Sequence, residues 1–172
     1  MLLMGTLLCP LLGCTTSQTH LSPSDDFYRA VAALVRGDTV EESAYFSPDG
    51  LSLAEITAAC GLPEHTALRT TYLSYISWEV VDEWEEGDTA TLMVLVTTVK
   101  WEWARERMAT ILPEKPPQGD ALSPYLLEIT AAFADGPLVT TEVAVSLSLE
   151  DDGWQVVAEE SLCRALTGES ME

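Results

Sequence analysis

Thiols, imidazoles, paired carboxylates and exposed indoles are the groups in this chain that could do chemistry. The 172 residues include four cysteines, Cys9, Cys14, Cys60 and Cys163, and two histidines, His20 and His65. A Ser–His–Asp or Cys–His site needs an imidazole held by the fold, and His20 lies in a polar stretch without periodicity. His65 follows Pro63-Glu64, and no nucleophile motif accompanies it. No cysteine–histidine spacing suits zinc, and no glycine-rich loop precedes a helix to hold phosphate. The acidic clusters at 82–88 and 150–152 lack the alternating oxygen register of a calcium loop and read as solvated hairpin tips. No metal or cofactor is therefore expected. Among strand carboxylates, Glu79 beside Trp78 and Glu142 between Thr141 and Val143 could serve an acid–base site if an apolar pocket raised the pKa of either. Alternation places both on the wet face instead.

Cys14 stands in a different context. Residues 1–13, MLLMGTLLCPLLG, contain no charged side chain and end in Leu11-Leu12-Gly13 directly before the thiol. A bilayer-spanning helix needs roughly 20 apolar residues, so this run is too short to cross a membrane but has the length of a secretory h-region. Leu11-Leu12-Gly13-Cys14 resembles the bacterial lipobox. The resemblance implies that the Cys14 thiol receives a diacylglyceryl group and that the leader is cleaved before it. The polar stretch Thr15-Thr16-Ser17-Gln18-Thr19-His20 then reads as part of a tether over residues 14–21.

Composition narrows the partners. Asp and Glu number 28 against 8 Lys and Arg, a formal net charge of −20. Such a chain repels nucleic acid and anionic headgroups, so attachment to a membrane must come from the lipid. The apolar share of 47% suffices for a core, and residues 22–172 have the length of one domain.

Two further sets of residues are candidates. Trp101 and Trp103 fall at alternate positions of a strand-like stretch, followed by Arg105 and Arg107. Placed on one face at a strand end, the indoles would form a wall for a small apolar or weakly acidic ligand or for an envelope protein, with the arginines as donors. Cys60 and Cys163 remain in the mature chain once Cys9 leaves with the leader and Cys14 is lipidated. They could form a disulfide closing a loop of about 100 residues, or both could be buried thiols.

The elements that must position these groups are legible in part. Ser22-Pro23-Ser24-Asp25 starts a helix whose stripe is Phe27, Ala30, Val31, Leu34 and Val35, closed by Gly37. Ser52-Leu53-Ala54-Glu55 is a capping box opening a second helix, with Leu53, Ile56 and Cys60 on its apolar face. Tyr45 and Phe46 precede a turn and should pack beneath it. Residues 70–84 and 89–103 are rich in β-branched and aromatic residues and predict a long hairpin turning at Gly87. Leu92, Val94 and Val96 face one way and Met93, Leu95 and Val99 the other, as in a central strand. Residues 104–121, with Pro113, Pro116 and Pro117, read as an irregular connection. A helix begins at Ser123-Pro124 and stops at Asp135-Gly136-Pro137; a second hairpin follows, turning at 150–153, and a short helix ends at Gly168.

This order predicts an α+β fold: a curved antiparallel four-stranded sheet packed against N-terminal helices, with a helix inserted between the two hairpins. The layout resembles the cone-shaped domains of the nuclear-transport-factor-like, ketosteroid-isomerase-like and cystatin-like families. The LLGC leader, the DDGWQVVAEESL stretch and the closing RALTG resemble small lipoproteins of Gram-positive bacteria. Together they imply a membrane-anchored extracytoplasmic lipoprotein with a non-catalytic ligand-binding or protein-interaction role. Two alternatives remain open: a ketosteroid-isomerase-like enzyme with a carboxylate in the cone pocket, and a purely structural envelope component.

Overall fold

The Ser22-Pro23 pair does what its order predicts. In the computed structural model, which describes residues 21–37 and 42–168, Ser22 caps α1 (Pro23–Arg36) by accepting from the Asp25 amide, and Gly37 ends it in the left-handed conformation. Phe27, Ala30 and Leu34 are buried. At the first turn of α1, the Glu83 carboxylate accepts from the amide and the hydroxyl of Ser24, which pins the helix start to the first strand. One turn on, buried Asp26 accepts from the Trp154 amide at 3.0 Å and pairs with Arg29 at 3.5 Å. A charge placed there is tolerated because both an amide and a guanidinium meet it.

After α2 (Glu42–Tyr45), Phe46 is buried and makes a parallel bridge to Val156. Gly50 then passes so close to the last strand that a Cβ on it would lie 2.5 Å from the Ala158 amide nitrogen, so only glycine fits. The capping box forms as expected at the start of α3 (Leu53–Ala59), where Ser52 and Glu55 bond reciprocally. These bonds hold the Glu55 carboxyl below its ordinary pKa.

Three sequence expectations fail between residues 66 and 111. The predicted strand over 70–84 is in its first part a helix, α4 (Thr66–Leu73), and the strand β1 (Ser77–Glu86) starts later. Leu68 and Tyr72, four apart, both turn into the core, and the Thr71 hydroxyl is satisfied by bonding the Ala67 carbonyl at 2.8 Å. Burial of that pair outweighs the strand preference of Thr70 and Thr71. Likewise β2 (Thr89–Val99) ends before the two indoles, which open α5 (Trp101–Ile111). The connection expected to be irregular over 104–121 is thus helical to Ile111. Trp101, Ala104, Met108 and Ile111 form its inward stripe at spacings of three and four. Irregular chain is confined to residues 112–118, where the prolines lie, before a 3-10 turn at Gly119–Leu122.

The remaining elements follow the sequence reading: α6 (Ser123–Ala134), β3 (Leu138–Glu150), β4 (Gly153–Val157) and α7 (Glu160–Thr167). The fold is α+β. Its sheet is open and antiparallel in the order β1-β2-β3-β4, and α5 and α6 lie in the connection between the two hairpins. Thr89 through Val99 pair in unbroken register with Ser148 through Leu138, so β2 is interior, as its two-faced apolarity requires. One face of the sheet presents Leu92, Val94, Val96, Val143, Val145 and Leu147 to the helices, all buried. α1 and α7 cover this face.

The centre of the core is polar at one point. Tyr72 is fully buried, and its hydroxyl lies 2.9 Å from the Leu166 carbonyl, 3.0 Å from the Val99 carbonyl and 3.1 Å from Thr98 Oγ1. The phenol thereby joins α4, the end of β2 and α7. Burial pushes its pKa up to about 12, against the opposing effect of the Thr98 hydrogen bond.

Candidate functional site

The four residues expected to make one wall, Trp101, Trp103, Arg105 and Arg107, divide into two pairs. They lie on a helix, not a strand, and residues two apart on a helix point about 200° away from each other while residues four apart share a face. Trp101 is buried edge-on against Tyr72, with ring centroids 4.7 Å apart, and Arg105 lies one turn along the same side. Trp103 packs on the other side, tilted against Phe133 at 6.4 Å. Its six-membered ring closes over Gly136, where a Cβ would come within 2.6 Å of Trp103 Cζ3. The Arg107 guanidinium lies over this indole, 5.7 Å from the ring centroid. Strand alternation would have put both rings on one face; helical rotation separates them.

The Trp101 pair borders a cleft. A hollow of about 420 Å³ is lined by Trp101, Lys100, Glu102 and Arg105 from α5 and its cap, and by the C-terminal ends of α3 and α7. Lys100 reaches Glu102 at 3.6 Å. Two cationic side chains thus stand where two helices end, the position in which positive charge is favoured by the carbonyl ends of the helices. In a chain with 28 acids and 8 bases, this is a local reversal of sign. Lys100 and Arg105, which flank the indoles in the sequence, are thus brought to the same hollow as Trp101.

A larger hollow, about 640 Å³, opens beside the β3–β4 turn and is lined by Phe46, Ser47, Pro48, Glu55, Asp151 and Asp152 among others. Its walls are acidic and it is open to solvent, and it contains the 150–152 cluster that the sequence reads as a solvated tip. No group of three or more His, Cys, Asp and Glu side chains among the described residues is placed to hold a metal ion. Size alone favours this hollow; convergent charge and an indole edge favour the smaller one.

The strand carboxylates Glu79 and Glu142 are both exposed on the outer face of the sheet, where Leu95 stands between them in the paired register. Neither lines the two hollows described above. His65 occupies the cap position of α4 without a side-chain cap bond, and its Nδ1 is enclosed without a hydrogen-bond partner among the described residues. Trp78 is half-buried and edge-on to Phe27, and Trp154 is buried, so both serve packing.

Cys60 and Cys163 meet behind the cleft, where the end of α3 crosses α7. Both are buried thiols. Cys60 Sγ lies 3.5 Å from the Cys163 carbonyl oxygen. Contact between the two thiols draws the Cys163 thiol below its ordinary pKa, opposed by burial and by the Glu160 charge. Cys14 and His20 lie outside the described residues. No helix among the described residues is long and apolar enough to cross a membrane.

No protein-family model matches the sequence, and no curated protein matches it. Among solved structures, the chain is similar to ycdA of Bacillus subtilis, a protein described provisionally as a lipoprotein, at 13% identity and a TM-score of 0.46. The match covers 87% of this chain and 56% of that one, so the chain spans little more than half the length of this neighbour.

Proposed function

We propose that the chain is a membrane-anchored extracytoplasmic lipoprotein whose α+β domain has a non-catalytic binding role. The observation that carries this reading is the placement of Leu11-Leu12-Gly13-Cys14: a lipobox-like motif at the end of an uncharged leader, separated from the first helix by a polar tether. From Cys14 to the Ser22 cap the chain can extend by at most about 27 Å at roughly 3.4 Å per residue. The anchor therefore leads to the start of α1, which Glu83 fastens to β1. With a net charge of −20 the domain is repelled by an anionic bilayer, so the lipid alone must hold it there. The helices-on-sheet layout supports a cone-type domain, and the leader supports a place among Gram-positive lipoproteins.

The cleft at Lys100, Trp101 and Arg105 supports the binding role, and its chemistry suits a small weakly acidic ligand with an apolar body. The isomerase-like alternative requires an acid in an apolar pocket, whereas Glu79 and Glu142 both face solvent. A structural envelope component would share the anchor and leave the cleft without a ligand.

The anchor is tested by Cys14→Ser. We expect fatty-acid labelling to disappear and the protein to leave the membrane fraction; labelling and membrane association that survive the change overturn the anchor. For the cleft, titration with benzoate as a simple aromatic carboxylate should perturb amide resonances of α5 and of the ends of α3 and α7. The double variant Lys100→Glu/Arg105→Glu should abolish that response with the melting temperature little changed. A response elsewhere, or none, would favour the structural role.

A further inference from the structure

We propose that the outer face of the β1–β2–β3 sheet is a docking surface for a cationic, partly apolar segment of a partner protein. The helices cover one face of the sheet; the opposite face carries no element among the described residues. The paired register defines what that face presents. Glu79, Leu95 and Glu142 form one row across the three strands, and Asp82, Met93 and Ala144 form the next. Trp84, paired with Thr91, stands at the β1 edge with half of its surface exposed, and Val81 at the neighbouring register shift is 46% exposed. Of the apolar residues on this face, Leu95 has a carboxylate on either side in its row and Met93 has one, Asp82, while Trp84 lies at the edge.

Charge decides the occupant. None of the four strands contains a lysine or arginine, so all eight basic residues of the chain lie outside the sheet. Every ionised group on the outer face is therefore a carboxylate. An anionic bilayer would meet uncompensated repulsion there, and so would a second copy carrying the same −20 charge. A partner segment with lysine or arginine on either side of apolar side chains would match both features. Its cations would reach Glu79, Asp82 and Glu142 while its apolar residues covered Met93, Leu95 and Trp84. Lateral pairing onto β1 is disfavoured by the register shift between Val80 and Asp82 and by the acidic run that follows, so the partner is expected on the face and not along the edge. This surface shares no residue with the α5 cleft.

The test uses the full chain in nanodiscs of neutral phosphatidylcholine and, as probe, a synthetic peptide of alternating lysine and leucine. Hydrogen exchange of the complex should show protection concentrated in β1, β2 and β3. Glu79→Lys/Glu142→Lys should weaken binding at least tenfold, and Trp84→Ser several-fold. Glu114→Lys/Glu128→Lys, with the same charge change away from the sheet, should alter it less than twofold. Circular dichroism verifies that each variant is folded. Equal weakening by the two double-charge variants would reduce the effect to bulk charge and overturn the proposal. So would protection mapped elsewhere, or self-association of the chain through this face that Trp84→Ser abolishes.

Discussion

Tyr72→Ala should be the most damaging single substitution in the described core, lowering stability by roughly 3–5 kcal/mol, the range for deleting a buried aromatic ring. The ring is fully buried, meets Trp101 and Phe133 edge-on, and its hydroxyl joins three elements distant in sequence. Tyr72→Phe separates the two contributions. It keeps the ring and leaves the Val99 and Leu166 carbonyls and Thr98 Oγ1 to find other partners, for an expected loss of about 1–3 kcal/mol. Urea melts of the two variants measure both losses; a loss below about 1 kcal/mol for alanine would contradict the packing described. The phenol also gives a pH signature. In the folded chain its pKa is pushed up to about 12, chiefly by burial, while an unfolded tyrosine ionises near 10. Because the folded state holds the proton more tightly, this contribution is full below pH 10 and is lost as pH rises from 10 to about 12. The stability difference between the parent and Tyr72→Phe should therefore narrow over that window, as melts at pH 9 and pH 11.5 would show. A constant difference would mean that the phenol is not desolvated.

The second large effect is expected from oxidation. In a Cys9→Ser/Cys14→Ser chain, oxidised glutathione should join Cys60 to Cys163, the two electrons and two thiol protons of the cysteines passing to one glutathione disulfide, which leaves as two glutathione thiols. The thiols already touch across α3 and α7, and a bridge there closes a loop of about 100 residues, for which the chain-entropy model gives as much as 4–5 kcal/mol. The expected readouts are a fall from two to zero in maleimide-reactive thiols under denaturing conditions and a raised urea midpoint that dithiothreitol reverses. Two reactive thiols after prolonged oxidation would assign both cysteines to packing. In the extracytoplasmic location proposed above, thiols held in contact would meet oxidants and not the reducing glutathione pool.

What the amino-acid order decides by itself is written in short-range chemistry. Ser22-Pro23, the Ser52–Glu55 box, Gly37, Gly87 and Gly168 act within a few residues of themselves, and each begins, ends or turns an element where expected. The alternation through β2 and β3 likewise selects the buried face of the sheet, because a strand with one covered face has no other register. The lipobox-like order Leu11-Leu12-Gly13-Cys14 is short-range too, and lies outside the described residues. Tertiary structure alone decided the rest. Thr70, Thr71 and Tyr72 favour a strand locally, and only the need to bury Leu68 with Tyr72 makes them helical. Trp101 and Trp103 look like neighbours on a strand until β2 ends at Val99. The spacing of Trp101, Ala104 and Met108 was already legible as a helical stripe, but the β-rich run before it masked the signal. That one change of period moves Trp103 onto Gly136, leaves Trp101 and Arg105 beside the cleft, and admits Lys100 to it. The meeting of Cys60 with Cys163, 103 positions apart, and the acidic outer sheet face, uncovered among the described residues, are likewise properties of packing. Local propensities are worth tenths of a kcal/mol per residue, and burying one aromatic side chain is worth several times that, so the core overrules them where they conflict.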